Sequence, residues 1–191
     1  MGGVVLIGAS TGAPRTHHLY LGSMPEGFSA TLVVIQHMPR GPFIHGFMRY
    51  LHSRAPVPTH LARDGDVLRP AEVLVVEPGY HLRFRKDRRS VELSPAEGEN
   101  YFAPSMDVTF TSAAQVFGRH VCVAMISGLH AEHDGLSGCQ AVRRAGGKVL
   151  VTDPETTPCY HMVRQIREAN AYDAEAPLFD ILRICADWMR D

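Results

Sequence analysis

The stretch Val4–Gly12 most constrains the fold of this chain, because four apolar residues run directly into a turn of small residues. This pattern predicts a buried strand, a tight turn and then a helix, which can begin at Pro14 because proline suits a first helical turn. Ser10 falls at the bend, near the backbone N–H groups that open the helix and favour negative charge. Gly8–Gly12 also satisfies G-x-S-x-G, in which the glycines let the backbone bend sharply and expose a serine hydroxyl. A plain Gly/Ser turn has the same composition, so the rest of the chain must distinguish the two.

A second continuous apolar strand, Thr31–Ile35, is followed at once by Gln36 and His37. Two such strands joined through a helix form a βαβ unit, whose strands run parallel with both sheet faces covered. The functional crevice of these sheets lies outside the carboxyl ends of the strands, where Ser10 and His37 both fall. If the strands are neighbours, the two side chains emerge at the same edge. This favours a nucleophile and a base over a turn serine and a core histidine.

The remainder of the chain continues the alternation of strands and helices. Val121–Ile126 and Val149–Val151 are further buried strands by their apolar character, whereas residues 56–85 predict short strands in an antiparallel extension and Asn170–Pro177 a linker. The expected fold class is α/β: a three-layer α/β/α sandwich with a largely parallel, doubly wound sheet and a short antiparallel extension. We expect residues 1–191 to form one domain, without a receiver domain.

A third candidate residue, Asp134, follows the strand Val121–Ile126 and so projects at the same edge of the sheet. An acid there can orient a histidine base and stabilise its imidazolium, so Ser10, His37 and Asp134 form a candidate triad. Helix N-capping is the alternative role for Asp134. The α/β-hydrolases fit poorly, because their triad runs serine, acid, histidine and their elbow follows several strands. His17 is expected on an exposed helix surface.

Composition and charge argue against several other classes of protein. A formal net charge of −1 gives no electrostatic reason to expect nucleic acid or a membrane surface as a partner. No apolar run approaches the roughly 20 residues that span a bilayer, so membrane insertion is not expected. The four cysteines include no C-x-x-C pair, which favours reduced thiols in a cytoplasmic protein over a zinc or redox site.

Six blocks of sequence add a more specific indication, and they occur in this order: Ile7–Gly12, Val34–Pro39, Asp64–Asp66 with Leu68 and Pro70, Pro78–Gly79 with His81–Leu82, Pro104–Val108, and Ser127–Gly135. Together they resemble the catalytic domain of the chemotaxis protein-glutamate methylesterases (CheB type). The resemblance implies a Ser-His-Asp serine hydrolase that hydrolyses glutamyl methyl esters on methyl-accepting chemotaxis receptors, releasing methanol. It also implies possible deamidation of receptor glutamines, a separate receiver domain or regulator as a partner, and no cofactor or metal.

The same resemblance assigns individual roles. Ser10 matches the nucleophile, His37 the general base and Asp134 the orienting acid. The backbone N–H of Thr11 matches one donor to the oxyanion, and Leu129 stands where the family has a methionine whose N–H supplies the other.

The chain departs from the family in the loop Gly128–Gly135, which is two residues longer and leaves Glu132 as the nearest substitute for Asp134. The histidines of this loop suggest a metal site less than a solvated loop, because they lack the spacing of a zincin helix. Two other functions stay open. A nucleotide-binding module is disfavoured because G-x-G-x-x-G is absent, and a catalytically degenerate receptor-binding module is disfavoured by the intact Ser10 and His37.

Overall fold

A computed structural model describes residues 3–96, 103–128 and 134–190. Its centre is a seven-stranded sheet in which all neighbouring strands run parallel. In order across the sheet the strands are β3 (Thr59–Leu61), β4 (Glu72–Val75), β2 (Thr31–Gln36), β1 (Val4–Ala9), β7 (Val121–Ser127), β8 (Lys148–Thr152) and β9 (Ala174–Ala176). A separate antiparallel pair consists of β5 (Tyr80–Phe84) and β6 (Val91–Pro95).

Helices cover both faces of the sheet. They are α1 (His17–Leu21), α2 (Phe43–His52), α3 (Met106–Phe117), α4 (Leu136–Arg144), α5 (His161–Glu168) and α6 (Ile181–Trp188). One core cluster packs α3, α4 and α5 against one face, and the other packs α1, α2 and α6 against the opposite face. The expected three-layer α/β/α sandwich is therefore confirmed.

The central strand β1 shows why continuous apolar runs form this sheet. Every residue of β1 is buried, and alternate side chains serve opposite cores, with Leu6 in one and Ile7 in the other. A strand covered on both faces has no position at which water would favour a polar side chain.

Three expectations about local structure were wrong. The strand Glu72–Val75 belongs to the main parallel sheet, beside β2, and only β5 and β6 form the antiparallel extension. The expected linker Asn170–Pro177 contains β9, a three-residue edge strand too short to show periodicity. The single helix expected from Pro14 is a 3₁₀ turn at Ala13–Arg15 followed by α1. Within the described residues, no helix is long and apolar enough to cross a membrane.

Candidate active site

Ser10 lies at the carboxyl edge of the sheet, directly after its central strand. Its backbone N–H donates to the Ser127 carbonyl at 2.8 Å, which ties it to the end of β7. The β1–β7 register shifts between Gly8 and Ala9, so that Ala9 pairs with Ser127. Gly12 then turns the chain with a φ of 87°, in the left-handed region that favours glycine. The expected strand and sharp turn around Ser10 are both present.

His37 comes from the neighbouring strand at the same level. Gln36 pairs with Ala9 in the β1–β2 register, and the His37 N–H donates to the Ala9 carbonyl at 2.8 Å. Ser10 and His37 therefore follow directly paired positions of two parallel strands. Their shared edge, expected from the sequence, is confirmed.

Asp134 is brought to His37 from a distant part of the chain. Its Oδ2 lies 2.8 Å from His37 Nε2, and their side chains are only 12% and 8% exposed. A carboxylate at this distance, largely shielded from water, holds the imidazole in one orientation.

The Asp134 carboxylate is itself fixed by the first turn of α3. It accepts hydrogen bonds from Ser105 Oγ at 2.9 Å, from the Met106 N–H at 2.7 Å and from the Asp107 N–H at 2.9 Å. Helix N-termini stabilise negative charge through such free N–H groups. Burial alone would raise the pKa of Asp134, but hydrogen bonds from His37 and the backbone outweigh it and hold that pKa below its usual value.

A second carboxylate, Asp107, makes the reciprocal contact. Its Oδ1 accepts from the Gly135 N–H at 3.0 Å and from the Gly138 N–H at 2.6 Å, at the start of α4. Burial, with the nearby charge of Asp134, raises the pKa of Asp107 despite these bonds. The alternative role of Asp134, helix N-capping, is present together with its contact to His37: Asp134 accepts N–H groups at the start of α3, while Asp107 accepts those at the start of α4.

A buried polar chain lies behind the two strand ends, and sequence reasoning missed it. Gln36 Nε2 donates to the carbonyls of Ser10 and His37 at 3.0 and 2.9 Å. Gln36 Oε1 lies 2.9 Å from His17 Nε2, and His17 Nδ1 contacts the Tyr20 hydroxyl. The order of donors follows: His17 donates to Gln36 and accepts from Tyr20. These hydrogen bonds fix the backbone carbonyls of both candidate catalytic residues, Ser10 and His37.

The expectation that His17 lies on an exposed surface was wrong, because this first residue of α1 is fully buried and its ring packs against Phe47 of α2. Burial lowers the pKa of His17 to about 4, against the opposing effect of its hydrogen bond to Gln36. Gln36 offered the available sequence indication: a glutamine ends an otherwise apolar strand immediately before His37. His17 offered none, since its burial depends on which helix face meets the sheet.

Of the two candidate oxyanion donors, Thr11 lies within the described residues and Leu129 does not. The Thr11 carbonyl accepts from Ser127 Oγ at 2.9 Å, and the described residues provide no acceptor for the Thr11 N–H. Leu129, with Glu132 and the loop histidines, lies outside the described residues. Where the structure does describe the chain, it groups no three His, Cys, Asp or Glu side chains that could hold a metal ion.

Comparison with known proteins gives consistent matches. A curated relative from Anaeromyxobacter dehalogenans, named protein-glutamate methylesterase/protein-glutamine glutaminase 2, is 34% identical over 187 residues, 98% of this chain and 53% of the relative. Another so named, numbered 3, from Pseudomonas syringae pv. syringae, is 35% identical over 180 residues, 94% of this chain and 46% of the relative. The chain thus spans about half the length of these relatives.

The architecture agrees with these matches. The crystal structure of the Thermotoga maritima CheB methylesterase catalytic domain has a TM-score of 0.90 to this fold at 28% identity, over 98% of both chains. A family model described as CheB methylesterase matches residues 5–184, which include Ser10, His37 and Asp134. On this sequence match and this fold, the chain belongs to the CheB methylesterase family.

Proposed function

We propose that this chain is a serine hydrolase that removes methyl groups from glutamyl methyl esters of methyl-accepting chemotaxis receptors. The observation that carries the proposal is the 2.8 Å contact between His37 and Asp134, at the sheet edge where Ser10 follows the strand position paired with Gln36. A nucleophile, a base and an acid on three neighbouring strand ends suit acyl transfer. The names of the relatives support an ester of protein glutamate as the substrate.

In the first step, His37 takes the proton of the Ser10 hydroxyl as the serine oxygen attacks the ester carbonyl. Nε2 of His37 faces Asp134, so Nδ1 is the nitrogen that receives this proton in our proposal. The tetrahedral intermediate then collapses, and methanol leaves with the proton from His37.

The second step releases the glutamate. Water attacks the glutamyl ester of Ser10 with His37 again as base, and the serine leaves with the returned proton. We assign stabilisation of the oxyanion in both steps to the backbone N–H groups of Thr11 and Leu129. The first of these donors is supported by the Thr11 N–H, for which the described part of the chain provides no acceptor.

The same acyl-enzyme can form from a glutamine side chain, with ammonia leaving in place of methanol. We include this deamidation in the proposed activity because the relatives' names contain both activities. A separate receiver domain or other regulator completes the proposed partners, since about half the length of each relative lies outside the match.

Labelling with a fluorophosphonate probe tests the activated serine. We expect labelling of the wild type and none of Ser10→Ala or His37→Ala, while Ser29→Ala, a change at an exposed serine, labels normally. Removal of a triad nucleophile costs about a millionfold in turnover, so methanol release from a methylated receptor fragment should vanish with labelling in Ser10→Ala. A folded wild type that neither labels nor releases methanol would contradict the proposal and favour a binding module.

A further inference from the structure

A wide groove lies between the loops of the candidate active site and helix α2. Its volume is about 870 Å³, and its lining includes Met38, Phe43, Phe47 and Tyr50. Phe43 is 69% exposed, the highest value among the large apolar side chains that the structure describes, so its ring is available to a partner. We call this surface the α2 groove.

The α2 groove begins at the residues that follow the candidate nucleophile and base. Pro14 and Arg15 line it shortly after Ser10, and Met38 and Pro39 line it directly after His37. It then follows α2 to Arg54, past the end of the helix. A chain segment lying in this groove would extend away from a group held at Ser10.

Among the described residues, the charges that line the α2 groove have one sign. Arg15, Arg49 and Arg54 line it and are exposed, and none of the described lining residues is acidic. None of these three forms an ion pair within the described part of the chain, whereas Arg85 and Arg183 elsewhere are paired with nearby aspartates. Cations without an ion-pair partner beside an apolar lining favour an acidic partner with an apolar face.

We propose that the α2 groove binds an acidic, amphipathic helical segment of the protein substrate, next to the glutamyl group that reacts. This inference rests on the proposed function and adds to it the chemistry of the substrate segment. The ten residues of α2 extend about 15 Å, which matches nearly three turns of a helix laid beside it. Strand addition is not available there, because β1 and β2 lie inside the sheet and are paired on both sides.

The proposed contacts are of two kinds, apolar and charged, as is typical of an amphipathic helix bound in a groove. Apolar side chains of the segment pack on Phe43 and Phe47, and carboxylates on its flank meet Arg49 and Arg54. The apolar contacts supply most of the affinity, and the charges select an acidic sequence.

Binding is measured with Ser10→Ala protein, so that no turnover interferes. The probe is a fluorescein-labelled amphipathic helical peptide with leucines on one face and glutamates on the other, and its twin carries glutamines. We expect the glutamate peptide to bind at least about tenfold more tightly than the twin at low salt, with the difference falling as salt rises. Arg49→Glu with Arg54→Glu should abolish the preference, and Phe43→Ala should weaken both peptides.

The matched control is Arg144→Glu, the same charge change on an exposed arginine at the end of α4, on the opposite face of the sheet from α2. It should leave the preference intact. Equal binding of the two peptides, or a preference that survives both arginine reversals, would overturn the proposal. So would a concentration-dependent dimer that Phe43→Glu dissociates, because a second copy would then occupy the groove.

Kinetics separate this inference from the proposed function. For a peptide that carries a glutamyl methyl ester on the acidic helix, Arg49→Glu with Arg54→Glu should raise KM at least about tenfold, while hydrolysis of p-nitrophenyl acetate stays unchanged. Arginine-dependent binding in a wild type that hydrolyses neither ester would support the groove and contradict the function. Normal peptide-ester hydrolysis with an unchanged KM would do the reverse.

Discussion

Nε2 of His37 and Oδ2 of Asp134 lie 2.8 Å apart, although 97 positions separate the two residues in the chain. The contact joins the end of β2 to the first turn of α3, because the same carboxylate accepts the Met106 N–H. The histidine is thus oriented by an acid that is itself fixed to a helix. Because Asp134 is fixed in this way, its contact keeps the His37 side chain in one rotamer.

Asp134→Asn should lower kcat by about 10⁴-fold, the loss that follows when a buried triad acid becomes an amide. The amide presents a donor to groups that now donate, so the orientation of His37 and the contact with α3 both suffer. The control is Asp107→Asn, which is isosteric and whose Oδ1 accepts from the Gly135 and Gly138 N–H groups at the start of α4. It should leave turnover nearly unchanged and stability equal or slightly higher, since its raised pKa shows that the charge at Asp107 is disfavoured. Steady-state kinetics and urea unfolding check both, and near-normal turnover of Asp134→Asn would move the acid role elsewhere.

Acid should destabilise this protein through His17. Its folded-state pKa is about 4, below the unfolded value of 6.5, so between these values the unfolded chain binds a proton that the folded chain does not. Stability is therefore lost as the pH falls from about 6.5 to 4, by up to about 3 kcal/mol. Urea unfolding across this range measures the slope. In His17→Leu the slope should be shallower, although the variant is less stable at pH 7 because Gln36 and Tyr20 lose a partner. Equal slopes in the two proteins would contradict the assignment to His17.

The sequence predicts the central part of the sheet well, for a physical reason. Val4–Ala9 and Thr31–Gln36 are buried on both faces, so their apolar runs are continuous and their pairing follows from the short connection. Thr59–Leu61 and Ala174–Ala176 could not be predicted in the same way, because three residues at a sheet edge carry no periodicity. Their strand conformation depends on a neighbour already in place.

The candidate site, like the sheet, could be predicted only in part from the sequence. The shared edge of Ser10 and His37 follows from strand topology, whereas the assignment of Asp134 drew on family resemblance as well as on its place after a strand. The exchange of caps between Asp107 and Asp134 could not be foreseen, because it depends on how α3 packs on α4. A local pattern cannot tell which helix a capping side chain will serve.

Gln36→Glu should lower kcat by up to about a hundredfold, the scale of a small displacement of reacting groups, with little change in KM. The carboxylate would face the carbonyls of Ser10 and His37, to which Gln36 now donates, and would push them apart. Tyr20→Phe removes only the far end of the same buried chain and should have a much smaller effect. The rate of fluorophosphonate labelling gives an independent measure. Unchanged labelling in Gln36→Glu would mean that the hydrogen bonds of Gln36 have no part in positioning the nucleophile.

Gly128→Ala should disable the site by steric contact. A Cβ at this position would lie 2.0 Å from Met162 Sδ and 2.9 Å from Ser10 Cβ, so we expect the methionine to move and the nucleophile to be displaced as well. Overpacking of this kind costs about 1–3 kcal/mol of stability, and we expect labelling of Ser10 to fall with it.

Two comparisons make this prediction specific. Gly128→Ala with Met162→Ala relieves the closest contact and should recover most of the stability but only part of the labelling, because the contact with Ser10 remains. Gly46→Ala, at an exposed helical position where the nearest atom to a new Cβ is 3.9 Å away, should instead stabilise the protein by up to about 1 kcal/mol. Thermal unfolding and probe labelling of the three variants decide the matter. Full labelling in Gly128→Ala would show that the chain yields at Met162 alone and that Ser10 keeps its place.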